Sequence, residues 1–305
     1  MIVLDKEDLI KIEFRWNHEV ELSSYGREFF VSKAKISKNT NQEEKKIMKK
    51  ICALFIILVL LLTGCSSPKT DDTADKNSEE TKTLVVGLDD TFAPMGFRDD
   101  AGELVGFDID LAKAVAEKIG YEVSFQPIDW AMKETELNSG NIDCIWNGYS
   151  ITEERKTKVA FSTPYLDNAQ LIITLSGSDI ASKADLADKI VAVQKESSAL
   201  DAVTADDIAA SLKEIVEFDT NIDCFMDLEA GRCDAIVCDE VLARYIIKQR
   251  GEDKYNILSD DFGKEEYGIG FRLKDSELVA SVDKALEDLK ADGTYKEIYT
   301  KWFSE

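Results

Sequence analysis

The chain has 305 residues, a formal net charge of −23 and 44% hydrophobic residues, enough for two modest domains with real cores. Acidity on this scale excludes a nucleic-acid partner, which needs a basic face, and it excludes attachment to an anionic membrane by charge. The one histidine, His18, lies upstream of the export signal read below, so the mature chain has no Ser-His-Asp or Cys-His catalysis and no histidine-ligated metal; no cofactor is expected.

Met48-Lys49-Lys50, the apolar run Ile51 to Leu62 and the ending Leu62-Thr63-Gly64-Cys65 form a secretory signal over 48–64. The apolar run is too short to span a bilayer, which takes about 20 residues. The Leu-Thr-Gly-Cys ending resembles a bacterial lipobox, which implies a lipid on the Cys65 thiol. Residues 65–83 are Ser, Thr, Asp, Lys and Glu with almost nothing apolar and read as a flexible tether. A signal normally opens a chain, so 1–47 is expected to be a misassigned extension and Met48 the natural start. No apolar stretch of membrane-spanning length follows Cys65.

From Leu84 short apolar strands alternate with amphipathic helices. Leu84-Val85-Val86 reads as a strand, Asp110 to Ile119 as a helix stopped by Gly120, and Tyr121 to Phe125 and Ile142 to Trp146 as strands. Strands follow at Lys189 to Val193, Glu214 to Phe218 and Ala235 to Val237, with a partly helical stretch from Ala199 to Leu212. A return strand is read at Tyr267 to Arg272, a helix at Leu278 to Leu289, and a last helix ending near Trp302. This alternation means an α/β fold with largely parallel pairing. Leu137, Gly140, Asp143 and Ile145 recur 91 residues later as Leu228, Gly231, Asp234 and Ile236, which two similar lobes would explain. Lobe 1 is expected at 84–174 plus 268–305 and lobe 2 at 175–267, with crossovers near Ile173 to Gly177 and Glu266 to Gly270.

Cys144, Cys224, Cys233 and Cys238 form no CxxC pair and read as small buried residues; export would permit a Cys224–Cys233 disulfide. The pattern S-x-x-E from Ser150 to Glu153 reads as a helix start.

In open α/β sheets ligands bind beyond the carboxyl ends of the strands. The loops there read Gly87-Leu88-Asp89-Asp90-Thr91-Phe92-Ala93-Pro94-Met95, followed by Gly102 to Leu111, then Ile145-Trp146-Asn147-Gly148-Tyr149-Ser150-Ile151-Thr152-Glu153-Glu154-Arg155; near the end stands Ala291-Asp292-Gly293-Thr294-Tyr295. Together, from about Leu84 to Phe303, these resemble the polar amino acid-binding proteins of ABC importers (extracellular solute-binding, family 3). The resemblance implies a periplasmic-binding-protein-like fold with a ligand cleft between two lobes joined by a two-segment hinge. It also implies capture of a polar or neutral amino acid by cleft closure, and delivery to an importer's membrane subunits and, through them, a partner ATPase. The chain itself has no GxxxxGK[ST] phosphate loop. A monomer on the outer face of the cell membrane is expected.

An α-amino acid needs a cation and N–H donors at one end and an anion at the other. Arg155 suits the carboxylate, and the resemblance adds Gly148 and Ser150. Asp239, just after a strand of the other lobe, suits the ammonium and holds the matching place in the family. Phe92 matches the family's stacking aromatic, Trp130 is a candidate second wall, and Trp146 is either wall or core. Ser197 and Ser198 would bond the carboxylate from lobe 2; Asp89, Asn147 and Gln194 complete the candidate set. The resembled pattern has glycine where Glu196 stands. With Asp89 and Asp90, Glu196 crowds the region with negative charge, which disfavours acidic ligands and makes a basic one a contender. The rival readings are a lyase or dehydratase using Asp89, Asp90 and Asp129 as acid and base, and a sensor presenting its ligand to a receptor.

Overall fold

The computed structural model describes residues 82–303. The expectations for 1–47, the signal, Cys65 and nearly all of the tether lie outside the described residues. Among the described residues no helix is long and apolar enough to cross a membrane.

The first half is built on β1 (Thr83–Leu88), flanked by β5 (Glu122–Pro127) and β6 (Cys144–Ser150). Between β1 and β5 lie a small antiparallel sheet of β2 (Thr91–Phe92), β3 (Gly96–Arg98) and β4 (Leu104–Val105), and helix α1 (Phe107–Ile119). The second half repeats the plan, with β9 (Ile190–Gln194) flanked by β10 (Glu214–Phe218) and β11 (Ala235–Asp239). Its helices are α3 (Ser198–Ala205), α4 (Asn221–Glu229) and α5 (Glu240–Arg250). Two long antiparallel strands, β8 (Leu166–Leu175) and β12 (Tyr255–Phe271), join the halves, and the sheet order is β10-β9-β11-β8-β12-β6-β1-β5, with β7 (Ala160–Phe161) on β12. Helices α6 (Ser276–Asp292) and α7 (Thr294–Phe303) return to the first half, where Val282, Ala285, Leu286 and Leu289 of α6 join a core with Phe107 and Leu111 of α1.

The 91-residue echo has a physical cause. Asp143 sends Oδ2 to the Val85 N–H at 3.0 Å and its own N–H to the Val85 carbonyl at 2.7 Å. Asp234 does the same to Ile190, at 2.7 and 2.8 Å. Each aspartate fastens the entry of one half's third strand to its first.

Gln170 to Ile173 of β8 pair with β11, beside the crossover read at Ile173 to Gly177. Two expectations are corrected. No α-helix starts at Ser150: it ends β6, its hydroxyl donates to Glu265 at 2.7 Å, and Thr152 Oγ1 instead accepts from the Arg155 N–H at the single tight turn Arg155–Thr157. The return strand begins at Tyr255, twelve residues before Tyr267, because its early part pairs with β8 and needs no run of apolar residues. The four cysteines of the described part are buried and free.

Candidate functional site

The strand ends of both halves converge on a narrow void lined by Phe92, Trp130, Asn147, Gly148, Arg155, Gln194, Ser197, Ser198 and Asp239. All nine belong to the sequence-derived set. Of the other two, Asp89 and Ser150 sit just behind the wall. Asp89 Oδ1 accepts from the N–H and Oγ1 of Thr91 at 2.9 and 2.7 Å, and its Oδ2 accepts from Gln194 Nε2 at 2.9 Å, so it ties the halves together. Burial raises its pKa. Trp146 is fully buried in the core beside Tyr165 and does not line the void.

Arg155 is only 4% exposed and, among the described residues, pairs with no carboxylate. Its guanidinium donates to the carbonyls of Ser150 (3.1 Å) and Glu196 (3.3 Å) and stacks 4.7 Å from the Tyr149 ring centre. Asp239, 6% exposed, takes three hydrogen bonds on Oδ1, from Asn168 Nδ2 (2.6 Å), Tyr267 Oη (2.8 Å) and Gln170 Nε2 (3.0 Å). Oδ2 makes no further hydrogen bond among the described residues. Burial, then the nearby Glu265 charge, push its carboxyl up to about 7. A buried cation and a buried anion on one void, neither ion-paired, are costly unless something between them answers both.

The walls fit that reading. Ser197 caps α3, accepting from the Leu200 N–H at 3.1 Å, which aims the helix N-terminus, with its free N–H groups, at the void. Gly148 has φ +56, and a Cβ there would lie 2.8 Å from Phe92 Cε1 and 3.0 Å from Tyr267. The Gly148 N–H is held at 2.8 Å by Asp108, whose burial raises its carboxyl to about 7.

Sequence reasoning missed four polar groups. Lys133 is 1% exposed; its ammonium donates to the Glu196 carbonyl at 2.9 Å and lies 5.2 Å from the Trp130 ring centre. Burial, then Arg155, pull its pKa down to about 8. Asn168 and Gln170 alternate as buried polar residues two apart on β8, a pattern the sequence did carry. Glu265 gave no signal, sitting in the charged run Lys264-Glu265-Glu266 that reads as a solvated face. Glu196 has φ +51, which accounts for a glycine in the resembled pattern; its side chain is exposed, and its carbonyl does the work.

The acids of the lyase reading are otherwise engaged. Asp90 pairs with Arg98 at 2.6 Å, and Asp129 caps the turn at Trp130, accepting from the Ala131 N–H at 2.9 Å.

The family model for bacterial extracellular solute-binding proteins, family 3, matches residues 84–305. The chain belongs to that family. Its members are extracellular solute-binding proteins, not enzymes. This family 3 chain is 30% identical over 251 residues to the L-cystine-binding protein TcyJ of Escherichia coli (strain K12), covering 81% of this chain and 93% of that one. It is 32% identical over 279 residues to the ABC transporter glutamine-binding protein GlnH of Bacillus subtilis (strain 168), covering 85% and 98%. Among solved structures, an ancestral arginine-binding protein bound to glutamine superposes with a TM-score of 0.69 at 45% identity, covering 73% of this chain and 98% of that one. The two-lobe fold expected from the sequence is thus the fold of the family.

Proposed function

We propose that this solute-binding protein captures a free polar amino acid between its lobes and hands it to the membrane subunits of an ABC importer. The observation that carries the reading is the pair of uncompensated buried charges, Arg155 and Asp239, on one void. The ligand carboxylate meets the Arg155 guanidinium, the α3 N-terminus and Ser198; the ammonium meets Asp239 Oδ2. Phe92 and Trp130 enclose the side chain, and an aromatic face also attracts cationic groups. The names of relatives that bind cystine and glutamine, and of a structural neighbour bound to glutamine, agree with a polar ligand.

Capture runs by hinge closure on β8 and β12, because contacts made by both lobes at once favour the closed state. A lipid on Cys65 keeps the monomer near the importer, and the partner ATPase supplies the energy. Thermal-shift screening of the common amino acids and cystine, followed by calorimetry and product NMR on the hits, tests this function. Saturable binding without turnover is expected; no binding by any amino acid, or product formation, would overturn it. Intact-mass analysis of membrane-extracted protein tests the anchor, with diacylated Cys65 at the N-terminus as the expected species.

A further inference from the structure

Glu265 projects from the hinge strand β12 to the rear of the ligand void. Its Oε2 accepts from Ser150 Oγ of the first lobe at 2.7 Å, from Gln170 Nε2 at 2.9 Å and from Asn168 Nδ2 at 3.2 Å. Ser198 Oγ of the second lobe lies 3.2 Å away. The Asn168 and Gln170 amides thus each reach both Glu265 and Asp239. The two carboxylate oxygens can be no farther apart than those bonds laid end to end. No lysine or arginine ion-pairs with either acid among the described residues.

A second observation points the same way. The amide oxygens Asn168 Oδ1 and Gln170 Oε1 are buried and have no hydrogen-bond partner, and Gln170 is 0% exposed. Turning either amide over would set its oxygen against the two carboxylates. This corner therefore gathers two acids and two orphaned acceptors, with no lysine or arginine among the described residues ion-paired to either acid. A primary ammonium, with three N–H groups and a full charge, answers the acids and the acceptors together.

We propose that Glu265 is a specificity-determining residue: with Asp239 it forms a paired-carboxylate socket, assembled from hinge and both lobes, that admits a charged primary amine and couples its capture to release of a proton. The proposal rests on the reading that Asp239 faces the ligand ammonium. Two carboxylates this close do not both ionise freely in a buried site, and the raised pKa of Asp239 agrees. Asp239 holds the proton in the empty socket; the incoming ammonium meets its carboxylate, and the proton leaves to solvent. Glu265 is half-buried and also lines a rear cavity with Asp167, Glu240, Lys264 and Glu266, which opens an exit. The other titratable and charged groups facing the pair are Arg155, Tyr267 and, beside Asp239, Cys238.

Calorimetry in two buffers of different ionisation enthalpy, near pH 6.5, counts protons released when L-arginine, L-glutamine, L-histidine or L-cystine binds. For the tightest of these probes, the wild type is expected to release a substantial fraction of a proton and Glu265→Gln less than half as much. Preference for that amino acid over its 2-hydroxy analogue is expected to fall about tenfold to a hundredfold in Glu265→Gln, the effect of removing one nearby charge from a partly buried site. A variant that keeps both the proton count and the amine preference would overturn the role of Glu265, even with binding intact. If none of the four probes, nor any other common amino acid, binds the wild type, the zwitterion reading itself fails, and the two failures are told apart.

Discussion

Lys133 Nζ donates to the Glu196 carbonyl oxygen at 2.9 Å, a direct bond from the first lobe to the second. Arg155 reaches the same oxygen, and Gln194 reaches back to Asp89. The lobes therefore hold some closed-state affinity for each other before any ligand arrives. One such bond is worth about 0.5–1.5 kcal/mol, and a population shift of that size appears directly in apparent affinity. Lys133→Met keeps the packing over Trp130 and removes the donor. It is expected to weaken amino acid binding by about threefold to tenfold and to increase the radius of gyration of the ligand-free protein in solution scattering.

Arg155 and Asp239 should trade stability against function. Arg155→Ala or Asp239→Ala strands one charge of the bound zwitterion and is expected to cost about 2–5 kcal/mol in calorimetric affinity. Without ligand the sign reverses. Burial raises the Asp239 pKa from 3.8 to about 7, so the folded state binds more protons than the unfolded state across that window, and the stability it contributes is lost as pH rises through about 7. Ligand-free Asp239→Asn is therefore expected to melt higher than wild type at pH 8. The gap should shrink toward pH 4, where the wild-type carboxyl is protonated in the folded state. Asp108, with a similarly raised pKa, acts in both proteins and cancels in the comparison.

Much of this site could be read from the sequence, for reasons visible in particular residues. Arg155, Asp239, Phe92 and Ser198 sit at strand ends in loops whose residue order is distinctive, and the Asp143/Asp234 echo reflects one local bonding scheme used twice. Lys133 was hidden because it looks like an ordinary polar residue at the start of a short helix, α2 (Lys133–Ser139); only the tertiary approach of Glu196 gives it a partner. Glu265 was hidden by the acidic composition around it, since a side chain's direction in a long irregular strand depends on the register shifts between Ile257 and Lys264. The capping pattern at Ser150 misled because pairing of β6 with β12 extends through Ser150 and Tyr267, so strand geometry won over local helix chemistry.

Gly148 should tolerate no side chain. Its φ of +56 disfavours L-residues, and an added methyl would meet Phe92 at 2.8 Å and Tyr267 at 3.0 Å. Gly148→Ala is expected to lose about 1–3 kcal/mol of stability. It should also weaken binding by more than the stability loss explains, since Phe92 must swing into the void. Chemical denaturation alongside calorimetry separates the two effects; a variant with wild-type affinity would show that Phe92 is not a wall of the occupied site.

Glu196 offers the opposite case, a residue that should improve when replaced by glycine. At φ +51 it holds a left-handed conformation that costs an L-residue about 1–2 kcal/mol, partly offset by the greater freedom glycine has in the unfolded chain. Glu196→Gly is expected to gain about 0.5–1 kcal/mol, or roughly 1–4 °C in Tm for a domain of this size. Lys133 and Arg155 both bond the backbone carbonyl of residue 196, and glycine keeps it. Affinity for a neutral amino acid should therefore stay within about threefold of wild type. L-glutamate is the sharper probe. If the exposed carboxylate of Glu196 repels acidic ligands through solvent, the substitution raises glutamate affinity by only a few-fold, and 0.5 M salt removes the difference. A gain of a hundredfold that survives salt would place the Glu196 side chain inside the occupied cleft and would require the closed site to be redrawn around it.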